Sequence, residues 1–519
     1  MPSPYRKANV PCLFLLSSSS CERSAFKTVG VSPGVIDGRC NTCFSTLRYS
    51  RSTDGRRMSD SKDPEKQERR NITVWPQWLA AFAVSLAPLV SGLANGWTSP
   101  YLAQLTSTAA DVPLRLTDSE ASWVASLLNL GRFIGAVIGA VIQEYVGRKK
   151  QLVIGGLPLA LSWVFSICAT SVMWLYVSRF CSGIGSGMVW LSLALYLGEI
   201  ADPKIRGSLI SLNVNVASVG MFLGNVMGPY LSMEMFAYVS LVPNILFMAL
   251  VSLIPESPYH YVLHGDIDKA EASLKWFRRE ADVKAEMREL QDFVDGAETS
   301  IMMKLKAFML PGNLKNAVIM FWLNVLVYAS GYNTINAYAE IIVIKSGVEI
   351  TPSLVVMILG LATIIAGASA VMVVDRFGRR CLLMISSLGV AIALGLLGLH
   401  FHILSTGIDS QILKWLPLAS MLSYNIFLAY GLVPVPGALL GEMFPADLKT
   451  LASLLLGCGN ALLSFISTRT FQPFLDLTGE KVVFWSYGLI VATCVPYVYY
   501  FIPETKGKSL LEIQKSVKR

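Results

Sequence analysis

Long apolar stretches alternate with short polar connections from about residue 76 to residue 502. Segments such as Trp78–Trp97, Ala121–Ile142 and Ser353–Val374 each hold about 20 mostly uncharged residues, enough for a helix to cross a hydrocarbon core of ~30 Å. A lipid environment satisfies backbone polar groups only in helices or closed barrels. The pattern therefore predicts an all-α membrane protein of about twelve spans. We expect the spans at roughly 76–98, 121–142, 151–170, 174–196, 208–231, 236–254, 316–343, 353–374, 381–403, 415–441, 450–472 and 482–502.

Two connections between the predicted spans are long, residues 99–120 and residues 259–315. Within the second, Asp266–Asp295 places isolated apolar residues among many charges, which predicts one or two amphipathic helices on the membrane surface. The expected organisation follows from these lengths. It comprises a cytoplasmic tail at 1–75, a six-helix half at 76–258, an amphipathic-helix loop at 259–315, a second six-helix half at 316–502 and a cytoplasmic tail at 503–519.

Composition supports a membrane location, since 53% of residues are hydrophobic and only 15% are charged. The net charge of +8 is concentrated in residues 1–57, where nine Lys/Arg face three Asp/Glu. A disordered tail, a transit-like peptide and an over-extended gene model all fit this Ser- and Arg-rich stretch. We favour the last, because Met58 opens a polar lead that runs directly into the first span.

Basic residues fall on one side of the membrane if the spans alternate. They occur at Arg148–Lys150, Lys204/Arg206, the 275–315 loop, Arg376–Arg380 and Lys506–Arg519. By the positive-inside rule this side is the cytoplasm, with both termini in it, and we expect a multi-pass protein of the plasma membrane. We expect the nine cysteines to be free thiols. Cys40-x-x-Cys43 has metal-ligand spacing without a second pair, which we interpret as coincidence.

Three charged motifs occur twice in the same order, and each copy follows a predicted span of its own half. This repetition predicts two related six-helix halves in the same orientation, which is typical of transporters with a cavity at the membrane midplane. The three pairs of motifs are Glu144-x-x-Gly147-Arg148 with Asp375-x-x-Gly378-Arg379, Glu199…Arg206 with Glu442…Lys449, and Pro255-Glu256-Ser257 with Pro503-Glu504-Thr505.

The repeated charges are candidates for a gate at the inner rim. Acids and bases that meet there would hold the halves together when the cavity faces outward and separate when it faces inward. The simpler alternative is that each charge obeys the positive-inside rule and faces water. The candidate gate residues are Glu144, Arg148, Glu199, Arg206, Asp375, Arg379, Glu442 and Lys449.

These motifs resemble those of the sugar porter family of the major facilitator superfamily, and most of all its facilitated trehalose transporter-like members. The resemblance covers residues 76–510 and implies the major facilitator fold and the transport of a sugar. It is carried by Arg179-Phe-Cys-Ser-Gly-Ile-Gly185, Tyr196-Leu-Gly-Glu199, Pro255-Glu-Ser-Pro258, Asp375-Arg-Phe-Gly-Arg-Arg380, Gly441-Glu-Met-Phe-Pro445 and Pro503-Glu-Thr-Lys-Gly507.

The sugar pocket departs from the family pattern. In helix 7 the paired family glutamines are replaced by Val327 and Tyr328, whereas Asn333 is kept. Helix 10 has Gly437, and helix 11 has Ala461, where the family has tryptophan. Fewer amides and indoles predict a larger and less polar pocket. The candidate substrate-binding residues are Asn333, Asn336, Tyr328, Tyr332, Asn460, Ser464 and Arg132.

Three further features bear on mechanism. Pro434 and Pro436 predict a broken or flexible helix 10, a hinge that gating could use. Arg132 lies in the middle of helix 2, where it is expected either to bind an anionic group of the substrate or to pair with a structural acid or carbonyl, the latter being the safer hypothesis. Proton-coupled relatives carry an acid in helix 1, where this chain has about Leu93.

We therefore expect a facilitative carrier of a sugar, hexose or trehalose-like, that works by alternating access without proton coupling. A carrier of a polyol or organic anion and a non-transporting nutrient sensor are the alternatives. No sequence pattern indicates an enzyme, a cofactor, a metal site or nucleic-acid binding. The expected partners are a small-molecule solute and the lipid bilayer, and the sequence is compatible with a monomer.

Overall fold

The computed structural model describes residues 74–107, 114–279, 283–295, 301–407 and 415–506. These residues belong to one compact unit, Lys62–Arg519. Their secondary structure is helical, and the described ranges contain no strand. The first 57 residues, the Cys40-x-x-Cys43 motif and most of the expected C-terminal tail lie outside the described residues.

Twelve helices in the described ranges are long and apolar enough to cross a membrane, which confirms the predicted fold class. Each expected span overlaps one of them. They are α1 (Trp75–Thr106), α2 (Asp118–Val146), α3 (Arg148–Ile167), α4 (Val172–Ile200), α5 (Arg206–Met227), α6 (Met233–Leu253), α7 (Pro311–Ala337), α8 (Pro352–Phe377), α9 (Arg379–Ser405), α10 (Leu416–Met443), α11 (Ala446–Thr478) and α12 (Glu480–Phe501).

Local sequence signals set several helix ends. Thr117 and Glu120 form a reciprocal capping box that begins α2. Gly147 and Gly378 end α2 and α8 with φ of 94° and 84°, a backbone region that favours glycine. The main difference from prediction is α1, which continues to Thr106 beyond its expected end at residue 98. Its last part, Thr98–Thr106, carries no charge and forms a second helical piece.

Four short helices connect the halves between α6 and α7. They are Pro258–Leu263, Ile267–Arg278, Lys284–Asp295 and Ile301–Phe308. The second and third occupy the segment predicted to form amphipathic helices. Buried Arg278 attaches this segment to the first half, since its guanidinium donates to the Ile200 carbonyl over 2.8 Å and pairs with Glu286 over 2.7 Å. Gln77 of α1 adds a hydrogen bond to the Phe277 carbonyl.

The even number of spans places the first and last described residues, Val74 and Lys506, on one membrane face. We call this face the termini side and the other face the opposite side. The four short helices and the Gly147 and Gly378 turns lie on the termini side. The connections that follow Thr106 and Thr478 lie on the opposite side.

Small residues let helices approach closely within the first half. A Cβ added at Gly131 of α2 would lie 2.3 Å from the Phe180 carbonyl oxygen, and one at Gly183 of α4 would lie 2.2 Å from the Leu128 carbonyl oxygen. Neither position can hold a larger side chain without moving a backbone. The close packing of α2 against α4 therefore depends on these glycines.

The two halves meet along α2 with α11, α5 with α8, and the end of α1 with the segment after α7. At the second contact, the Gly360 backbone of α8 faces the Phe222 ring of α5. The first contact places α11 of the second half against α2 of the first half, and α11 also packs against α7, which positions the candidate site.

Candidate functional site

Helix α7 is broken before its last turns. It runs as Pro311–Ala329, turns at Ser330 and Gly331, and resumes as Tyr332–Ala337. Gly331 has φ of 80°, and a Cβ there would lie 2.5 Å from the Tyr487 ring of α12. Both the backbone conformation and the close ring require glycine. The break carries the candidate residues Tyr328, Tyr332 and Asn333 on its two sides.

Three candidate polar residues come together between α7 and α11. The Asn333 amide donates to the Ser464 hydroxyl over 2.6 Å, and that hydroxyl donates to the Asn460 backbone carbonyl, one turn earlier in α11, over 2.7 Å. The Asn460 side-chain oxygen is buried and accepts no hydrogen bond from the described residues. Directly after Asn333, the Thr334 hydroxyl lies 3.2 Å from that of Ser467, one turn beyond Ser464. These polar side chains therefore join α7 to α11.

The remaining candidates lie on both sides of the α7 break and across from it. Asn336 donates to the Tyr332 carbonyl over 3.0 Å within α7. The rings of Tyr328 and Tyr332 lie 6.3 Å apart and nearly edge to face. Arg132 of α2, from the other half, is close enough to both tyrosines to interact with them electrostatically. Its buried Nε has no hydrogen-bond partner in the described part of the chain.

Helix α10 contains a π-helical turn, Leu428–Leu432, directly before Pro434. Pro434 has no backbone N–H to donate, so the regular ladder cannot pass through it. The Ser386 hydroxyl of α9 supports the turn, donating to the Phe427 carbonyl over 2.5 Å and accepting the Leu432 N–H over 3.1 Å. The chain resumes as a regular helix that includes Pro436 and Gly437.

The charged candidates on the termini side pair within each half. Arg148 Nε lies 3.0 Å from Glu199 in the first half, and an Arg379 guanidinium nitrogen lies 3.1 Å from Glu442 in the second. The pairs therefore join the two motifs of one half, α3 to α4 and α9 to α10.

The other gate candidates are arranged differently. Glu144 is exposed, Lys449 is half-buried and Arg206 donates to the Ala201 carbonyl over 3.3 Å. The Asp375 side chain lies outside what the structure describes. Glu144 and Arg148 are four residues apart, a spacing that would make them neighbours on a continuous helix. The turn at Gly147 interrupts the helix and directs Arg148 toward α4 instead.

Glu256 and Glu504 bind helix N-termini, a role beyond their place in the repeated motifs. The Glu256 carboxylate accepts the Arg148 and Lys149 N–H groups over 3.1 and 2.9 Å. Glu504 accepts those of Arg379 and Arg380, both over 3.2 Å. Each acid thus stabilises the positive end of the helix that begins after its half's glycine turn. The repeated Pro-Glu-Ser and Pro-Glu-Thr spacing was the signal for this role.

The environment of Glu504 has a measurable electrostatic consequence. Burial raises the pKa of its carboxyl, but the N–H donors of the chain around Lys506 and Arg379 outweigh burial and hold the pKa below its usual range. The charged form is therefore the one that the structure binds.

Arg179 of α4 has partners other than an acid. Its guanidinium carbon lies 3.6 Å from the centre of the Trp97 ring, and it donates to the Ala94 carbonyl over 2.6 Å, while its Nε is buried without a hydrogen bond. Both partners belong to α1, a helix that contains no acid. A cation–π contact and one carbonyl stabilise this buried charge.

The halves bind each other on the opposite side. The Ser122 hydroxyl of α2 donates to the Arg469 carbonyl of α11 over 3.2 Å, and the Arg469 guanidinium lies 4.6 Å from the centre of the Trp123 ring. Near these residues, the Glu340 N–H donates to the Ser99 hydroxyl over 3.0 Å. These contacts connect α2 to α11 and α1 to the segment after α7.

Comparison with known proteins agrees with this architecture. Residues 79–516 match the family described as Sugar (and other) transporter. The facilitated trehalose transporter Tret1 of Aedes aegypti is 33% identical over 471 residues, which cover 89% of this chain and 58% of that relative. The chain thus spans little more than half of its length. Tret1 of Polypedilum vanderplanki is 32% identical over 86% of this chain and 89% of that relative.

Solved structures show the same fold. The inward-open xylose transporter XylE from E. coli superposes with a TM-score of 0.70 at 23% identity, covering 85% of this chain and 99% of that one. The same proton:xylose symporter bound to 6-bromo-6-deoxy-D-glucose, a member of the major facilitator superfamily, gives a TM-score of 0.69. With its twelve spans, its duplicated motifs and a match over most of its length, the chain belongs to the sugar transporter family and has the major facilitator fold.

Proposed function

We propose that this protein is a facilitative transporter of a sugar, a hexose or a trehalose-like disaccharide, that works by alternating access. The family and the names of its trehalose-transporting relatives support the substrate class. The membrane-embedded hydroxyls and amides between α7 and α11 support it as well, because a sugar needs directional hydrogen-bond partners. Catalysis is not part of the proposal, since the matching family is one of transporters.

The termini side corresponds to the cytoplasm in this proposal, and the membrane is the plasma membrane. The basic turns that follow Gly147 and Gly378 and the Lys/Arg-rich short helices all lie on the termini side, as the positive-inside rule requires. The Ser122–Arg469 and Ser99–Glu340 contacts then lie on the extracellular side.

The observation that carries the proposed mechanism is the asymmetry between the two sides. On the extracellular side, hydrogen bonds and an Arg469–Trp123 contact join the halves. On the cytoplasmic side, the Arg148–Glu199 and Arg379–Glu442 pairs each remain inside one half. A carrier with these contacts is closed to the outside, and rocking of the halves would reverse the arrangement.

The charged pairs stabilise each half as a rigid body in this scheme. Arg148–Glu199 and Arg379–Glu442 hold α3 to α4 and α9 to α10, and the motifs that contain Glu144, Arg206, Asp375 and Lys449 lie at the same cytoplasmic rim. Contacts between the two rims would form in the outward-facing state. Pro434, Pro436 and the preceding π-helical turn let the cytoplasmic part of α10 bend relative to the rest.

The sugar would bind between the halves at the α7 break. Asn333, Asn460 and Ser464 supply amides and a hydroxyl from α7 and α11, and Asn336 lies one turn further along α7. Tyr328 and Tyr332 supply ring faces and phenol groups. The carrier would not be coupled to protons through α1, because that helix contains no acid and Arg179 is held by Trp97 and Ala94.

Uptake by purified protein in liposomes tests the proposal, with labelled glucose, trehalose and a polyol, each with and without an imposed proton gradient. We expect saturable sugar flux that the proton gradient does not change. Asn333→Ala and Asn460→Ala should impair uptake while the protein still reaches the surface of cells. Gradient-dependent flux would contradict a facilitator, and binding without any flux would favour a sensor.

A further inference from the structure

Arginines in the membrane-spanning helices differ in how their charge is satisfied. Arg179 lies over the Trp97 ring and donates to the Ala94 carbonyl. Arg469 lies over the Trp123 ring and within 3.4 Å of the Ser122 hydroxyl. Arg132 has neither a stacked ring nor a carbonyl partner in the described ranges, and its Nε, like that of Arg179, is buried without a hydrogen bond. A cation at the centre of a membrane helix is costly unless something binds it.

The position of Arg132 indicates where the missing partner would be. It lies at the midpoint of the 29-residue helix α2, so it is equally far from both membrane faces. The groups that interact with its charge are the phenols of Tyr328 and Tyr332, which belong to α7 of the other half. Arg132 therefore faces the space between the halves, beside the residues proposed to bind the substrate.

Among the described residues, no acid of the twelve helices lies near this depth. Every Asp and Glu of the twelve helices occurs within a few residues of a helix end, as Glu144 and Glu199 do. Phenol groups are neutral at physiological pH and do not cancel a positive charge. The membrane midplane thus holds one uncompensated cation next to hydroxyl and amide groups.

We infer that the pocket accepts a sugar acid, a hydroxylated solute that carries one carboxylate, with the carboxylate bound by Arg132 and the hydroxyls by the α7 and α11 side chains. This inference rests on the proposed function, because it assumes a carrier with its site between the halves. A planar guanidinium matches a carboxylate with two parallel hydrogen bonds.

The charge count selects a monoanion over a sugar phosphate. A phosphate monoester carries about −1.5 to −2 charges at pH 7, and a single arginine would leave part of that charge buried and unpaired. A carboxylate leaves the loaded site neutral, which is the form that crosses a low-dielectric region most readily when the halves rock.

The inference has an electrical consequence. A facilitator that moves a sugar acid moves one negative charge per transported molecule, whereas glucose moves none. The equilibrium distribution of the anion should therefore change about tenfold for each ~60 mV of membrane potential. The distribution of glucose should not respond to the potential.

The test compares uptake of labelled glucuronate, glucose and glucose 6-phosphate by proteoliposomes with the wild-type protein, Arg132→Gln, Arg132→Lys and Arg288→Gln. The last variant removes the same charge at an exposed position of the connecting loop and serves as the matched control. We expect wild type and Arg288→Gln to carry glucuronate in a potential-dependent manner. Arg132→Gln should lower the ratio of glucuronate uptake to glucose uptake at least tenfold, and Arg132→Lys should restore part of that ratio.

Each other outcome has a definite meaning. Wild-type flux of glucose without flux of glucuronate, or equal losses of both solutes in Arg132→Gln with a lower melting temperature, would overturn the inference and leave the sugar carrier intact. Flux of glucuronate alone would support the inference and overturn the neutral-sugar proposal. If no solute is carried, thermal stabilisation by glucuronate of wild type but not of Arg132→Gln would support it, and the lack of such stabilisation would overturn it.

Discussion

At the residue scale, charges pair across helices rather than along the chain. The spacing of Glu144 and Arg148 is that of neighbours on one helix, but Gly147 ends α2 between them, and the Arg148 guanidinium reaches from the start of α3 to Glu199 of α4. Sequence alone identifies which residues are charged and repeated. Which of them meet depends on how a glycine turn directs the chain, and that direction is a tertiary property.

Glu256 provides a prediction at this scale. Its carboxylate is only 5% exposed and accepts the first N–H groups of α3, so Glu256→Gln keeps the shape and removes the charge that the helix N-terminus favours. We expect a loss of about 1–2 kcal/mol, a magnitude typical of helix-terminal charges and caps. The apparent melting temperature of the purified protein in detergent should fall.

The equivalent variant of the second half calibrates this result. Glu504→Gln should lower the stability less, because Glu504 is more exposed and its carboxylate also accepts the N–H groups of Thr505 and Lys506. Asp266→Asn, in an exposed pair with Lys269, should change nothing. An unaltered melting temperature in Glu256→Gln would show that the negative charge of Glu256 adds nothing to its hydrogen bonds with the first N–H groups of α3.

Glu340 gives a prediction of pH dependence. Burial raises the pKa of its carboxyl from an ordinary 4.5 to about 7 while its N–H binds Ser99 across the halves. The facing piece of α1, Thr98–Thr106, carries no charged group, and the nearest base on its own segment, Lys345, pairs with Glu480. Helix α8 packs against the segment after α7, and its charged residues lie at its far, C-terminal end.

The sign follows from the raised pKa. Between about pH 5 and about pH 7, closure of this side is coupled to protonation of the Glu340 carboxyl. The equilibrium constant for closure should therefore fall as the pH rises from about 5 to about 7, by at most tenfold per pH unit, and stay constant above that. Glu340→Gln should abolish the dependence. Labelling of a cysteine on the opposite side as a function of pH measures it, and Glu234→Gln, exposed on the same side, is the control. Equal pH profiles in all three proteins would refute the prediction.

At the element scale, membrane helices that break need side chains from their neighbours. Pro434 predicts a break in α10 from sequence, but not its form. The structure has a π-helical turn before the proline, and Ser386 of α9 bonds the Phe427 carbonyl and the Leu432 N–H of this turn. Nothing in the sequence marks Ser386, because a serine in a membrane helix usually bonds its own backbone.

Replacement of Ser386 tests this support. Ser386→Ala should leave two buried backbone groups of α10 with poorer partners and cost about 1–3 kcal/mol. Uptake should fall as well, because α10 bends at this turn in the proposed cycle. Ser387→Ala is the matched control, since the Ser387 hydroxyl is also buried but bonds only the Leu383 carbonyl of its own helix. Similar effects of both variants on stability and uptake would show that the turn needs no side-chain support.

At the scale of the whole molecule, the fold was predictable and the arrangement of the site was only partly so. Apolar length sets the spans, and the duplicated charged motifs set two parallel halves, since both depend on local composition. The bond between Asn333 and Ser464 and the isolation of Arg132 depend on contacts between helices far apart in the chain. The same holds for the opposite-side contacts between the halves, which no motif in the sequence indicates.

The last prediction concerns the movement of the halves. The 3.0 Å bond between the Glu340 N–H and the Ser99 hydroxyl places the two Cα atoms no more than about 7 Å apart, within reach of a disulfide. A Ser99→Cys, Glu340→Cys double variant should therefore cross-link under oxidising conditions and stop uptake, and a reductant should restore it, because alternating access requires these segments to separate. The single variants control for loss of the side chains. Continued uptake by a fully cross-linked protein would mean that the solute passes without separation of α1 from the segment after α7, and the rocking mechanism would then be wrong.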